Sequence, residues 1–306
     1  LRVPATSTEP FPLYGIMPYD YANPDESVPS SLSAVWTWCT SSATAQRYAV
    51  LWSSAEESDA EFVQWQTLLS ALLPERNTQA IRTLVQGEMQ VMQQMEVHRQ
   101  TQVVYINGWP SQSHEDLFRA EDRYPDVWAY SDAIRTPLSN DEKAHVESEI
   151  SMCGYIVLRL KDYFQRARPY QTARMLDFPL KPLASGSAAT PALPSGHALQ
   201  TMCAFAATYE VLVVRPNASA FDASAWRALM RYAYDIGDRR VVAGVHYPTD
   251  NYASSMIFNR IVARAWPRAH AAGMRFAESA AERRVLCGRA FPELCLEPVL
   301  NTSAAL

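Results

Sequence analysis

Three short clusters of basic and polar residues within residues 161–250 carry side chains suited to phosphate chemistry. Lysine and arginine bind oxyanions, and a histidine can act as a nucleophile or as a general acid. The clusters therefore predict an oxyanion pocket equipped with two histidines, which can take a phosphate group off an ester. The three clusters are Lys161 with Arg168-Pro169, then Pro194-Ser195-Gly196-His197, then Arg240 with His246 and Asp250.

The first cluster combines two cations. Lys161 and Arg168 are seven residues apart, which is nearly two turns of an α-helix. Both side chains are therefore predicted on one face of a helix, where they can approach the same anion. Pro169 is expected to end that helix. Taken alone, the pair is better interpreted as two solvated charges near a helix end.

The second cluster follows a stretch of small residues at 184–192 and precedes a strongly helical run. A helix begins with unpaired backbone amides and a positive dipole, so Ser195, Gly196 and His197 are predicted to place donors where a phosphate binds. Gly196 lets the backbone approach an oxygen closely. His197 is predicted to be a general acid for a leaving group.

The third cluster is organised around a proline. Pro248 is expected at the first position of a helix, which puts His246 just before that helix and Asp250 in its first turn. An aspartate that accepts a hydrogen bond from one ring nitrogen fixes the histidine tautomer and leaves the other nitrogen free to attack. Arg240 can hold phosphate oxygens with two parallel hydrogen bonds.

Helical spacing of apolar residues dominates the chain beyond its first 50 residues. Capping boxes at Ser58 with Glu61 and at Ser139 with Glu142 are predicted to start two of the helices. No alternation of strands and helices recurs, so the sequence predicts an all-α fold, a single helical-bundle domain. The predicted helices cover about 58–73, 77–98, 139–168, 198–214, 221–234, 248–266 and 267–286.

Two segments differ from this pattern. Residues 1–50 are rich in proline and are predicted to form an irregular arm packed on a catalytic domain that spans 51–306. Residues 102–136 are expected to form mainly a long irregular excursion, of the kind that often serves as a lid. Within it, His114-Glu115-Asp116 is interpreted as a solvated loop rather than as a metal site.

The chain contains five cysteines, with no paired short spacing typical of zinc, so no metal is predicted. Cys287 and Cys295 bracket a short loop and could form a disulfide in an oxidising compartment. Cys153 and Cys203 fall inside helical patterns and are expected to be small buried apolar groups.

The formal charge of −5 excludes a general attraction to nucleic acid, and the basic residues gather around the three clusters, which favours a small anionic ligand. The longest apolar run, 202–214, is too short to span a bilayer, so no integral membrane segment is predicted. A chain that starts at Leu1 fits a processed precursor, and we expect a soluble periplasmic or secreted protein.

In order and spacing, the three clusters resemble the tripartite signature of the type 2 phosphatidic acid phosphatase (PAP2) superfamily. That superfamily includes bacterial class A acid phosphatases, lipid phosphatases and vanadium-dependent haloperoxidases. Residues 161–170, including the additional Arg166, are most similar to the first motif of the class A acid phosphatases. One position departs from the pattern, because the superfamily usually has serine where this chain has Arg239. Arg239 could add positive charge or simply point outward.

The resemblance implies an all-helical fold and a two-step reaction on a small phosphorylated substrate, without a metal or other cofactor. His246, oriented by Asp250, would attack phosphorus to form a phosphohistidine. His197 would protonate the leaving oxygen and later activate water. The phosphoryl oxygens would be held by Lys161, Arg168, Ser195, the amide of Gly196 and Arg240.

Three functions share these residues. The favoured one is a metal-independent phosphomonoester hydrolase similar to the acid phosphatases. The alternative is a vanadium-dependent haloperoxidase, in which the same pocket binds vanadate and His246 coordinates the metal. A non-enzymatic anion-binding protein is disfavoured, because mere binding needs neither the two histidines nor Asp250.

Overall fold

Helices make up most of the chain that the computed structural model describes. The described residues are 55–73, 79–103, 112–122, 138–185, 188, 190–214, 223–279 and 281–282. Of these, 72% are helical and 3% lie in strands, which confirms the all-α prediction. The predicted arm at 1–50 and the predicted Cys287–Cys295 disulfide lie outside the described residues.

The helix bounds agree with the sequence pattern in most places. Ser139 and Glu142 form the predicted capping box, with Ser139 N–H donating to Glu142 at 2.6 Å and Glu142 N–H donating to Ser139 at 3.3 Å. The Ser58 box is wrong, because Ser58 lies inside a helix that begins at Ala55. The helices are α1 (Ala55–Ser70), α2 (Gln79–Met95), α3 (His114–Glu121), α4 (Asn140–Phe164), α5 (Pro169–Met175), α6 (Gly196–Leu212), α7 (Ala223–Val242), α8 (Pro248–Ala265) and α9 (Pro267–Ala271), and a 3-10 turn covers Glu96–His98.

Two predicted helix ends need correction. Helix α4 ends at Phe164, where Gln165 takes a left-handed backbone (φ 50°), and Pro169 begins α5 rather than ending α4. Lys161 and Arg168 therefore do not share one helix face. Helix α9 ends at Ala271, well before the predicted residue 286, because Gly273 (φ 81°) turns the chain.

The described part of 102–136 is more regular than predicted. Strand β1 (Gln102–Val103) pairs antiparallel with β2 (Gln112–Ser113), and α3 follows at once. Ser113 and Asp116 form a capping box, so His114-Glu115-Asp116 opens a helix and is not a solvated loop. No group of three or more His, Cys, Asp or Glu side chains in the described ranges is placed to hold a metal ion.

The chain divides into two compact units. Among the described residues, the first unit contains those up to Gln100 and those within Tyr155–Ser195 and Arg240–Ala253. Its core includes Phe62 of α1, whose ring packs edge-on to Tyr155 of α4 with centroids 6.2 Å apart. Gly244 (φ 82°) lies so close to Pro182 that an added Cβ would meet its Cα at 3.1 Å, so this turn requires glycine.

The second unit contains the described residues within Thr101–Gly154 and Gly196–Arg239, and those from Ser254 to 282. Cys153 of α4 and Cys203 of α6 form a disulfide, which corrects the prediction that both are simple buried apolar groups. Phe258 of α8 packs on Phe276 and stacks on Trp266 in the core of this unit. In the described residues of both units, no helix is long and apolar enough to cross a membrane.

Candidate active site

His246 and Asp250 form a hydrogen-bonded pair at the start of α8. The helix begins at Pro248 as predicted, and Asp250 in its first turn lies with Oδ2 3.0 Å from His246 Nδ1. The same Oδ2 accepts the backbone N–H of Tyr247 at 2.9 Å. An ionised carboxylate can only accept, so Nδ1 must be the protonated ring nitrogen. The lone pair of His246 is thereby placed on Nε2.

The charge of Asp250 is maintained although the side chain is fully buried. Burial would raise its pKa, but Arg166, whose Nη1 lies 2.6 Å from Oδ1, and the hydrogen bonds from His246 and Tyr247 hold that pKa at about 2. Asp250 is therefore a carboxylate at any pH where a histidine can be neutral.

Arg166 links Asp250 to a second carboxylate, Glu88 of α2. Arg166 Nη2 donates to Glu88 Oε2 at 2.9 Å, and the guanidinium lies 3.9 Å from the centre of the Tyr247 ring. Glu88 Oε1 accepts the backbone N–H of Thr249 at 2.8 Å, in the first turn of α8. Burial raises the pKa of Glu88, and Arg166 opposes this shift. The network thus fixes the start of the helix that carries Asp250.

Arg168, just before α5, connects the first cluster to the third. Its Nη1 lies 2.7 Å from the carbonyl oxygen of Val245 and 2.8 Å from His246 Nε2, and its Nε donates to the Thr190 carbonyl at 2.6 Å. A guanidinium only donates, so Nε2 of His246 accepts. This contact assigns the same tautomer as the Asp250 contact does.

Lys161 is buried near these groups. Its ammonium donates to the carbonyl oxygens of Pro191 and Ala192. Burial and the charge of Arg168 lower the pKa of Lys161 well below its usual value. Burial, Arg168 and Lys161 likewise lower the pKa of His246 well below its usual value, against the opposing effect of Asp250. His246 is consequently neutral at pH values where an ordinary histidine is charged.

Ser195 and Arg240 complete the predicted residues of the first unit. The backbone N–H of Ser195 donates to the Asp250 carbonyl at 3.0 Å. The Arg240 carbonyl accepts the backbone N–H of His246 at 3.2 Å, and its side chain is fully buried. The first unit therefore contains these members of the predicted set: Lys161, Arg168, Ser195, Arg240, His246 and Asp250.

Gly196 and His197 belong to the second unit, where they open α6 two residues before the predicted start at residue 198. Both residues are half-buried. The Nε2 atom of His197 lies 3.1 Å from the backbone oxygen of Glu121. The hydroxyl of Thr201 donates to the His197 carbonyl at 2.8 Å.

Sequence reasoning missed Glu88 and assigned no role to Arg166. Glu88 lies on the buried face of α2 together with Val85 and Met92, and a carboxylate in an apolar stripe is a signal that could have been used. Arg239 is 1% exposed and forms an ion pair with Glu121 at 2.6 Å, which excludes the expectation that it points outward.

One family model matches part of the chain. Residues 149–272 match the model of the PAP2 superfamily, and this segment contains all three clusters. Comparison of the chain with curated proteins and with solved structures gave no match. The match to this superfamily points to phosphatase-type hydrolysis.

Proposed function

We propose that the protein is a metal-independent phosphomonoester hydrolase, similar to the acid phosphatases, that acts through a phosphohistidine. The observation that supports this most directly is the His246–Asp250 pair, since it places the lone pair of a neutral imidazole on Nε2. In the first step Nε2 attacks phosphorus, an N–P bond forms, and the P–O bond to the leaving group breaks. Asp250 balances the positive charge that develops on the ring.

Cationic and amide donors stabilise the phosphoryl oxygens in this proposal. Lys161, Arg168 and Arg240 are buried basic side chains, and buried charges act strongly on a transition state because water does not screen them. The Ser195 side chain and the Gly196 amide supply further donors by the family pattern. The substrate class is a small phosphate monoester.

His197 completes the cycle as the proposed general acid and base. It gives a proton to the leaving oxygen in the first step and accepts a proton from the attacking water in the second. The N–P bond then breaks, which releases phosphate and returns His246 to its neutral form.

A chromogenic aryl phosphate assay at mildly acidic pH, with and without a chelator, tests the function. We expect hydrolysis that the chelator does not change, loss of at least about 10³-fold in His246→Ala, and no change in His270→Ala, which alters an exposed histidine. Rapid quenching with ³²P-labelled substrate is expected to trap an acid-labile phosphoenzyme in the wild type and in His270→Ala, but not in His246→Ala.

A parallel assay separates the haloperoxidase alternative. The protein is incubated with vanadate and peroxide, and bromide oxidation is measured. Bromide oxidation without any monoester turnover would overturn the phosphatase proposal. His197→Ala is expected to slow the hydrolysis of esters with poor leaving groups by about 10²–10⁴-fold. The hydrolysis of aryl esters should be slowed much less. Equal losses for both esters would contradict the acid role.

We also propose a periplasmic or secreted location. The buried Cys153–Cys203 disulfide supports it, because disulfides persist mainly in oxidising compartments.

The distribution of charge supports the proposal of a small anionic substrate. Buried basic side chains concentrate in the first unit around His246.

A further inference from the structure

Arg239 and Glu121 form a two-pronged ion pair inside the second unit. Arg239 Nη2 donates to Glu121 Oε1 at 2.6 Å and Nε donates to Oε2 at 2.9 Å. Each residue is 1% exposed, so the pair is shielded from solvent. Two parallel hydrogen bonds fix the direction of the carboxylate as well as its distance. Serine, the usual residue at this position in the superfamily, is too short for this contact.

The pair holds the last residue of α3. The other end of the helix is fixed by the capping box of Ser113 and Asp116, in which the Asp116 N–H donates to Ser113 Oγ at 3.0 Å. With both ends anchored, the backbone carbonyl of Glu121 has a defined position. That carbonyl faces His197.

The contact between His197 and Glu121 identifies the protonated ring nitrogen. A carbonyl oxygen can only accept, so the Nε2 atom 3.1 Å away must carry a hydrogen and donate it. Nδ1 is then the nitrogen that gains and loses a proton. The geometry therefore assigns Nε2 to the hydrogen bond with Glu121 and leaves Nδ1 for proton transfer.

We propose that Arg239 is a positioning residue for His197. Through its ion pair with Glu121 it fixes the carbonyl that binds Nε2–H, and thereby makes Nδ1 the atom that protonates the leaving oxygen. This inference rests on the proposed function. In the first step the proton on Nδ1 moves to the ester oxygen as the P–O bond breaks, and in the second step Nδ1 accepts a proton from water as the N–P bond breaks.

Leaving-group dependence tests the proposal, since kcat/KM reports the steps up to phosphoenzyme formation. Arg239→Ser is expected to lower kcat/KM about tenfold more for an alkyl phosphate than for a nitrophenyl phosphate, because only the poor leaving group needs the acid. The ratio of alkyl to nitrophenyl kcat/KM in Arg239→Lys is expected to lie between the ratios of the serine variant and the wild type. Arg119→Ser is the control, because it removes a 54%-exposed partner of Glu115 from the same helix. It should leave kcat/KM unchanged for both substrates.

A second variant covers the case in which Arg239→Ser fails to fold and leaves Glu121 buried without its partner. The double variant Glu121→Leu/Arg239→Leu removes both charges, a change that proteins commonly tolerate. It is expected to fold and to show the same selective loss with the alkyl ester. A folded double variant with the wild-type ratio of alkyl to aryl rates would overturn the proposal.

A spectroscopic readout distinguishes this inference from the proposed function. Nitrogen-15 NMR of the imidazoles, assigned by the signal lost in His197→Asn, is expected to show Nε2–H in the wild type and a mixture of tautomers in the double variant. An unchanged tautomer in the double variant would refute the role of Arg239. If the wild type hydrolyses neither ester, the proposed function fails, while the tautomer measurement still decides the role of Arg239.

Discussion

The guanidinium of Arg166 lies 2.6 Å from the carboxylate of Asp250, and neither side chain is exposed to solvent at all. The second arm of Arg166 reaches Glu88, so one cation joins the aspartate that orients His246 to a carboxylate of another helix. Arg166 does not need to contact a substrate to affect the reaction, because it controls the position and the charge of Asp250.

We expect Arg166→Lys to lower kcat by about 10- to 100-fold with little effect on KM, since lysine cannot donate to Glu88 and Asp250 at once in a fixed geometry. Steady-state kinetics with an aryl phosphate measure this. Arg159→Lys is the matched control, because Arg159 pairs with Asp59 in a solvent-exposed contact. An effect confined to KM would contradict a positioning role.

The pH dependence of His246 provides a second prediction. Burial, Arg168 and Lys161 lower its pKa well below the usual value, so the imidazole stays neutral as the pH falls through about 6.5. We expect the acidic limb of kcat/KM to lie below this pH. Histidine NMR measures this, with the His246 signal assigned as the one lost in His246→Asn. In the folded protein this signal should not titrate in the pH range around 6.5 where the histidines of the urea-unfolded chain titrate. Titration of the folded protein at or above that pH would show the prediction to be wrong.

Asp250 should make stability depend on pH. Its pKa is about 2 in the folded protein against the usual 3.8 of an aspartate, so it stabilises the fold above about pH 4 and this contribution is lost as the pH falls toward 2. The pH-dependent part amounts to about 2 kcal/mol. Urea unfolding of the wild type and of Asp250→Asn should therefore give a difference that shrinks with acidification.

At neutral pH, Asp250→Asn should lower the free energy of unfolding by a predictable amount. Removing one partner of a buried ion pair typically costs about 3–5 kcal/mol, because the remaining charge is left in the interior. Asp59→Asn, which removes a 68%-exposed partner of Arg159, should stay within about 0.5 kcal/mol of the wild type. Similar free energies of unfolding for the two variants would contradict the buried network.

The Cys153–Cys203 disulfide should contribute strongly to stability. It closes a chain segment with a sequence separation of 50, for which loss of loop-closure entropy in the unfolded chain predicts about 4 kcal/mol. We expect Cys153→Ala/Cys203→Ala to unfold at lower urea concentration, and the oxidised wild type to yield a peptide pair joined through these two cysteines. Alkylation of Cys153 in protein unfolded without reductant would refute the disulfide.

The third cluster shows how much of the site the sequence could specify. Pro248 placed His246 before a helix and Asp250 in its first turn, because a proline at the first helical position is a strong local signal. Helix α6 begins at Gly196, within two residues of the start that the stretch of small residues indicated. Local chemistry was sufficient at both positions.

Long-range pairing could not be predicted in the same way. Glu88, Arg166 and Asp250 come together from distant parts of the chain, and nothing in the local pattern of α2 identifies the partner of Glu88. The left-handed Gln165 breaks α4 where helical spacing continues, so the placement of Lys161 and Arg168 on one face was wrong for a local reason that spacing does not encode.

The pairing of Cys203 with Cys153, rather than the burial of each as a single thiol, has a topological consequence. The bond closes a covalent ring of polypeptide in which the first two clusters, from Lys161 to His197, are enclosed. One backbone cut between these cysteines cannot release a fragment from that ring. A protease that nicks this segment would leave a molecule of unchanged mass apart from one added water, which separates into two pieces only after reduction.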